Sequence, residues 1–298
     1  MGLELFTRNL KYLFKYNLKH MWQKANTEHD DELISQVVAL LQNERELNSD
    51  LKQPTVLDME QTVTKLLTEQ ISFCRFGDGE LALIHEREAG VFQRYDSRLA
   101  DILKNALTSH DEKLCVGINY FFYHLPSNLH PAQDVFYRCQ GLKYRHNLAH
   151  YIDPDQTYGD SLISMPYHLF LDYDFSGYFE RIAQLWAGQE IVMICGKTVF
   201  NKIQHNIFDN AAHIEYIYGP RVNAFDEYDS LLQKALATDP KKTKFLILGQ
   251  TATALAYDLA QHGHRALDIG HIAKDYNSWR LNEDLTKTEA IHNFYDKD

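Results

Sequence analysis

Ile71-Ser72-Phe73-Cys74-Arg75-Phe76-Gly77-Asp78-Gly79-Glu80 is an apolar run that ends abruptly in two carboxylates framed by glycines. A short β-branched and aromatic run bounded by Gly predicts a buried strand. Gly77-Asp78-Gly79 predicts a tight turn, and Leu81-Ala82-Leu83-Ile84-His85 the opening turns of a helix. Such a junction delivers Asp78 and Glu80 to the end of a strand, where open α/β sheets collect ligands. Two carboxylates one residue apart suit a hard divalent cation, Mg²⁺ or Mn²⁺. Arg75 is placed to pair with a carboxylate or a phosphate. The competing reading is structural: Gly-Asp-Gly is ordinary turn chemistry, and Glu80 suits the positive N-terminus of the following helix.

Outward from this stretch, the C-terminal half alternates strand and helix. Strands are expected at Ile191–Ile194, Ile214–Tyr218, Lys244–Leu248 and Arg265–His271. Helices are expected from Gly196 through Phe208, from about Ala224 to Ala237, and from Thr251 onward. Short loops between alternating elements imply a parallel sheet with right-handed crossovers. Upstream, Leu57–Gln70 predicts a helix and Leu114–Ile118 a second buried strand. Residues 119–180 are rich in Tyr, His, Pro and Asp, lack clean periodicity, and read as a long loop or lid suited to acceptor recognition. The expected class is α/β, a Rossmann-like mostly parallel sheet flanked by helices. An N-terminal helical extension (1–53) precedes the main domain (54–298).

Three strand ends invite phosphate. Gly249-Gln250-Thr251-Ala252-Thr253 offers a helix start and two hydroxyls, Gly196-Lys197-Thr198 a lysine, and Gly219-Pro220-Arg221 an arginine. Thr251 or Thr253 as a plain helix cap is the alternative. No GxGxxG fingerprint and no P-loop is present. Asp268-Ile269-Gly270-His271 brings a carboxylate and an imidazole to the same edge. His271 suits a general base, a ligand or a hydrogen-bond donor, although with 15 His in the chain a given one is more often structural.

The 298 residues carry a net charge of −11, against a nucleic-acid surface. Cys74, Cys115, Cys139 and Cys195 show no metal spacing and read as buried thiols of a reducing compartment. No apolar run reaches membrane-spanning length and no signal peptide is visible, so a cytoplasmic location is expected. Residues 1–24 are basic, with five Lys or Arg against Glu4 and apolar residues at helical spacing. Such a helix can lie on the inner face of a membrane, on another subunit of a homo-oligomer, or on its own domain.

Arg75–Glu80, Gly249–Leu259 and Ala266–His271, taken in that order and spacing, resemble the GT-D fold glycosyltransferases, formerly domain of unknown function 1792. The resemblance runs from about residue 57 to 276. It implies a metal-dependent transferase using a nucleotide-sugar donor, typically UDP-sugar, on a glycan or lipid-linked acceptor in bacterial surface-glycan or glycoprotein assembly. The family's Asp-x-Glu metal motif falls on Asp78 and Glu80. Arg75, Gly77, Gly249, Thr251, Thr253 and Lys197 are then expected at the donor phosphates, with Asp268 or His271 as base. Departures stand at Met165, Cys195, Gln250 and Ala273-Lys274-Asp275-Tyr276. Two alternatives stay in view: a metal-dependent nucleotide phosphoesterase, since the same carboxylates can activate water, and a non-catalytic nucleotide-sugar-binding subunit, which the departures motivate.

Overall fold

The computed structural model describes residues 28–47, 52–87 and 92–285. The basic segment 1–24 lies outside them. In chain order the described elements are α1 (Glu28–Leu47), β1 (Thr55–Val56), α2 (Met59–Glu69), β2 (Ser72–Arg75), α3 (Asp78–Ile84) and α4 (Ser97–Leu107). There follow β3 (Leu114–Ile118), α5 (Pro131–Leu148), β4 (Thr157–Asp160), α6 (Pro166–Leu169), α7 (Phe175–Ile182), β5 (Glu190–Gly196) and β6 (His213–Gly219). The chain continues through α8 (Tyr228–Leu236), β7 (Lys244–Ile247), α9 (Gln250–Gln261), β8 (Ala266–Asp268) and α10 (Ile272–Arg280).

All eight strands form one parallel sheet in the order β1-β4-β3-β2-β8-β7-β5-β6. Strands with both faces covered by helices read as continuous apolar runs, as in the buried Ile191-Val192-Met193-Ile194-Cys195 of β5. The register places Phe73 of β2 beside Cys115 on one side and Leu267 on the other. Phe73↔Leu267 is the one residue pair joining β2 to β8. There the strands of the N-terminal half and those of the C-terminal half meet, and their carboxyl ends diverge into a crevice.

The six expected strands are present; two more came from tertiary context. β1 is two residues long, and β4 is Thr-Tyr-Gly-Asp, half of it poor strand formers. The 119–180 segment is also less irregular than its composition predicts, for it contains the 18-residue α5. The buried face of α5 is Tyr137, Gly141, Arg145 and Leu148. Its helical spacing is therefore carried partly by glycine and arginine, which hydrophobic periodicity cannot register. Gly141 leaves room for Asn43 of α1. Buried Arg145 donates to Glu46 Oε1 at 2.9 Å, Asn43 Oδ1 at 2.8 Å and the Phe122 carbonyl at 2.5 Å, bolting α1 to the sheet domain.

One expected helix is absent. Residues 197–212 form successive turns. Asn206 accepts the Phe208 amide, and the Asn277 side chain accepts the amides of Gln204 and His205 at 2.8 and 3.0 Å. Side-chain amides that bind local backbone compete with helical hydrogen bonds.

Candidate active site

The crevice at the strand ends holds about 550 Å³. It is lined by Arg75 and Gly77 through Glu80, by Gly249 and Gln250, by Gly270 and His271, and by Arg221; Phe122, Phe136 and Met165 face them. Gly77-Asp78-Gly79 is not the expected turn. Asp78 is the first residue of α3, Gly77 is its extended N-cap with φ −114°, and neither glycine has positive φ. Gly79 leaves space for the Gln250 side chain, whose amide group a Cβ there would displace. Two helix starts, α3 and α9, are thereby brought into contact.

Asp78 is exposed, and among the described residues its Oδ1 accepts the adjacent Gly79 amide at 3.0 Å. Glu80, half-buried two positions on, accepts the Gly77 amide through Oε2 at 2.8 Å. It thus serves the helix N-terminus, the structural role weighed above, while still lining the crevice. Burial pushes its carboxyl up to about 7, and the Gly77 hydrogen bond only partly offsets this.

Arg75 is held by a buried network. One of its terminal nitrogens donates to the Ser161 carbonyl and Ser164 Oγ, both at 3.0 Å, and the other to Asp268 Oδ1 at 3.0 Å. Its Nε has no hydrogen-bond partner among the described residues. Asp268 is 2% exposed and does not line the crevice. It accepts from Arg75 and from the Gly270 amide, and its Oδ2 lies 3.0 Å from Thr253 Oγ1. That hydroxyl lies equally near the Arg75 carbonyl, at 2.9 Å. Gly270 has φ +44°, and a Cβ there would overlap the Arg75 guanidinium, so only glycine permits this packing. Asp268 is therefore a positioning group for Arg75, and its burial away from the crevice lining counts against the base role expected of it.

His271 does line the crevice as the N-cap of α10. Burial first, and the neighbouring Arg75 charge second, push its imidazole down to about 3. A neutral imidazole so far below working pH is a weak general base but a serviceable hydrogen-bond partner.

The phosphate-compatible junctions divide. Gly249, with φ +53°, starts α9 without a side-chain cap, as His271 starts α10 without one. Two helix N-termini without a side-chain cap thus open on one crevice, an arrangement suited to anions. Thr251 and Thr253, in contrast, are fully buried; Thr251 donates to Gln93 Oε1 at 3.2 Å. Lys197 is exposed and lies outside the crevice lining, where Gly196 and Arg221 are found instead. These three residues do not meet a ligand directly in this geometry.

The departures also have structural accounts. Ser164 accepts from Arg75, and Met165 lines the crevice. Buried Asp275 accepts the Tyr167 and His168 amides at 2.8 and 3.0 Å, fixing α6 beneath that wall. Gln250 lines the crevice with a buried Oε1 that has no partner among the described residues. Cys195 lies inside β5, away from the site. Sequence reasoning missed the aromatic wall of Phe122, Phe136 and Tyr137; the signal available was the aromatic content of the 119–180 segment itself.

The residues present fit a hard divalent cation. Asp78 and the remaining oxygen of Glu80 are carboxylate donors beside an anion-ready crevice. No cluster of three or more His, Cys, Asp or Glu poised for a metal exists among the described residues. Mg²⁺-like ions bound through one or two carboxylates and substrate phosphates do not need one. No described helix is long and apolar enough to cross a membrane.

Comparison with known proteins agrees with this architecture. A probable glycosyl transferase Gly of Streptococcus gordonii is 33% identical over 253 residues, 82% of this chain and 36% of that protein. Glycosyltransferase GlyD of Streptococcus pneumoniae is 26% identical over 278 residues, 90% of this chain and 32% of that one. The chain thus spans about a third of the length of these curated relatives. A solved structure of domain of unknown function 1792, described as having a distinct glycosyltransferase fold, superposes with a TM-score of 0.73 at 26% identity, covering 83% of this chain and 86% of its own. A glycosyltransferase of the same domain type from Streptococcus sanguinis gives 0.72 at 30% identity, covering 77% and 86%. The family model for the glycosyltransferase GT-D fold matches residues 73–293, and the chain belongs to that family.

Proposed function

We propose that this chain is a glycosyltransferase that moves a sugar from a nucleoside-diphosphate donor, UDP-linked, to a hydroxyl of a glycan or lipid-linked acceptor. The single observation that carries the reading is the pair of uncapped helix N-termini, α9 and α10, opening on the crevice that Asp78 and Glu80 border. A diphosphate at these N–H groups sits in a positive field, with the Arg75 guanidinium behind it. Asp78 and Glu80 would hold Mn²⁺ or Mg²⁺, whose chemistry is to neutralise charge on the departing diphosphate. Arg75, fixed by Asp268, Ser161 and Ser164, adds a pre-oriented positive charge. His271 contributes a neutral hydrogen bond. The aromatic wall of Phe122, Phe136 and Tyr137 gives the acceptor an apolar face on which to stack.

The test is transfer from a panel of UDP-sugars with Mn²⁺, comparing wild type with Asp78→Ala and Glu80→Gln. The glutamine keeps an acceptor for the Gly77 amide and loses the charge, so folding and catalysis are separated. Loss of transfer by about 10²–10³-fold in both variants, with melting temperature retained, is the expected result. Unimpaired transfer in both overturns the metal assignment, and donor hydrolysis indifferent to any acceptor overturns the transferase reading.

A further inference from the structure

A second cavity, about 610 Å³, opens on the flank of the sheet between α7, the turns at 204–210 and α10. Its floor is aromatic. Phe179 is buried, Tyr276 and Trp279 are half-buried, and the three rings pack with centroids 5.1–5.6 Å apart. Arg280 steadies this floor from the rim: its Nη1 donates to the Tyr276 hydroxyl at 2.7 Å, and its guanidinium lies 5.6 Å from the Tyr276 ring centre. The remaining rim is polar, with Asn206 and the exposed carboxylates of Asp209 and Glu180. Asn277, accepting the amides of Gln204 and His205, ties the rim to α10 and gives the cavity a fixed shape.

The chemistry selects the ligand class. Two carboxylates against one guanidinium disfavour phosphates and nucleotides. An apolar peptide would leave the polar rim unpaired. A neutral sugar matches both parts, since its C–H face covers an aromatic ring while vicinal hydroxyls pair with planar carboxylate, amide and guanidinium groups. We propose that this cleft is a second, non-catalytic saccharide-binding site, taking a neutral oligosaccharide. α10 links it to the crevice: Ala273 and Lys274 line the crevice, while Tyr276, Trp279 and Arg280 line the cleft. From Lys274 to Trp279 the helix rises only about 8 Å. The cleft is thus placed to hold a distal part of an acceptor glycan whose end lies in the crevice. That acceptor role rests on the glycosyltransferase reading; saccharide binding itself does not.

Of the three tryptophans, Trp186 is fully buried and donates to the Ile207 carbonyl, Trp22 lies outside the described residues, and Trp279 is a half-buried reporter in the cleft. The experiment titrates the full chain, with UDP and Mn²⁺ present to fill the crevice. The probes are the neutral tetrasaccharides of β1,4-glucose, β1,4-N-acetylglucosamine and α1,4-glucose, followed by tryptophan emission and by calorimetry. Saturable binding of at least one, weakened about tenfold by Asp209→Ala with Arg280→Ala at unchanged melting temperature, is expected. The same pair of substitutions raises the KM for an extended acceptor and leaves kcat and the KM of a monosaccharide acceptor alone. Absence of binding by all three probes at millimolar concentration, or binding that the double variant leaves intact, overturns the site. Binding that persists in a protein inactive on every donor keeps the cleft and removes the acceptor role together with the transferase reading.

Discussion

The two walls of the crevice are built by different means. The wall formed by the ends of β2, β7 and β8 is made of backbone and of one buried polar network, Arg75–Asp268–Thr253–Gly270, in which every group is placed by another. The facing wall, from α5 and the segment around Phe122 and Met165, is made of aromatic and apolar side chains, with Phe136 39% exposed. On the proposed reading, the fixed wall takes the diphosphate of the donor and the wall of side chains takes the acceptor, because residues there can change without disturbing the sheet. Substitution separates the two.

The largest effect is expected on the fixed wall. Asp268→Asn leaves the Arg75 guanidinium without its charge partner in a nearly buried setting, a change that costs about 3–5 kcal/mol. Calorimetry should show the melting temperature falling by roughly 10 °C, with transfer lost even at temperatures where the variant is folded. A variant as stable as wild type would show that the network does not carry this wall.

Phe136→Ala on the facing wall should do the opposite. An already exposed ring contributes little to folding, so the melting temperature stays within about 1–2 °C. Steady-state kinetics should show a several-fold higher acceptor KM with the donor KM unchanged. A shifted donor KM would show that the walls are not divided as described.

The last contrast is read only against pH, from the sheet end beside these walls. Buried Asp160 accepts the Tyr120 and Leu162 amides through Oδ1, and its Oδ2 has no partner among the described residues. Burial raises its carboxyl from 3.8 to about 7, so between those values the folded chain keeps a proton that the unfolded chain releases. Its contribution to stability is complete below pH 3.8 and is lost as pH rises through about 7. Denaturant titrations of Asp160→Asn should show a flatter stability curve across that window. An unchanged slope would mean that Asp160 is ionised throughout.

How much of this was legible beforehand follows from what each residue spends its side chain on. Strands β5, β7 and β8 were legible because both their faces are buried and their apolar runs are continuous, and the half-exposed edge strand β6 because its residues are β-branched and aromatic. β4 and α5 were not, because Gly159, Asp160, Gly141 and Arg145 are buried for reasons of space and pairing that composition does not encode. The carboxylate pair was found by its glycines, yet for a mistaken local reason: they permit the close approach of Gln250 and the start of α3, not a tight turn. Thr251, Thr253 and Lys197 sat at the right strand ends but on the wrong side of the helix or outside the crevice.

By itself, then, the order of residues determined a parallel α/β sheet with Gly-marked strand ends, since hydrophobic continuity and glycine positions are local properties. Only the tertiary structure decided that Asp268 serves Arg75, that burial and the Arg75 charge push the His271 imidazole down, and that α10 runs from the crevice to a second cleft. Those outcomes depend on which distant groups share a buried space, and a buried group's charge and role are set by its neighbours in space.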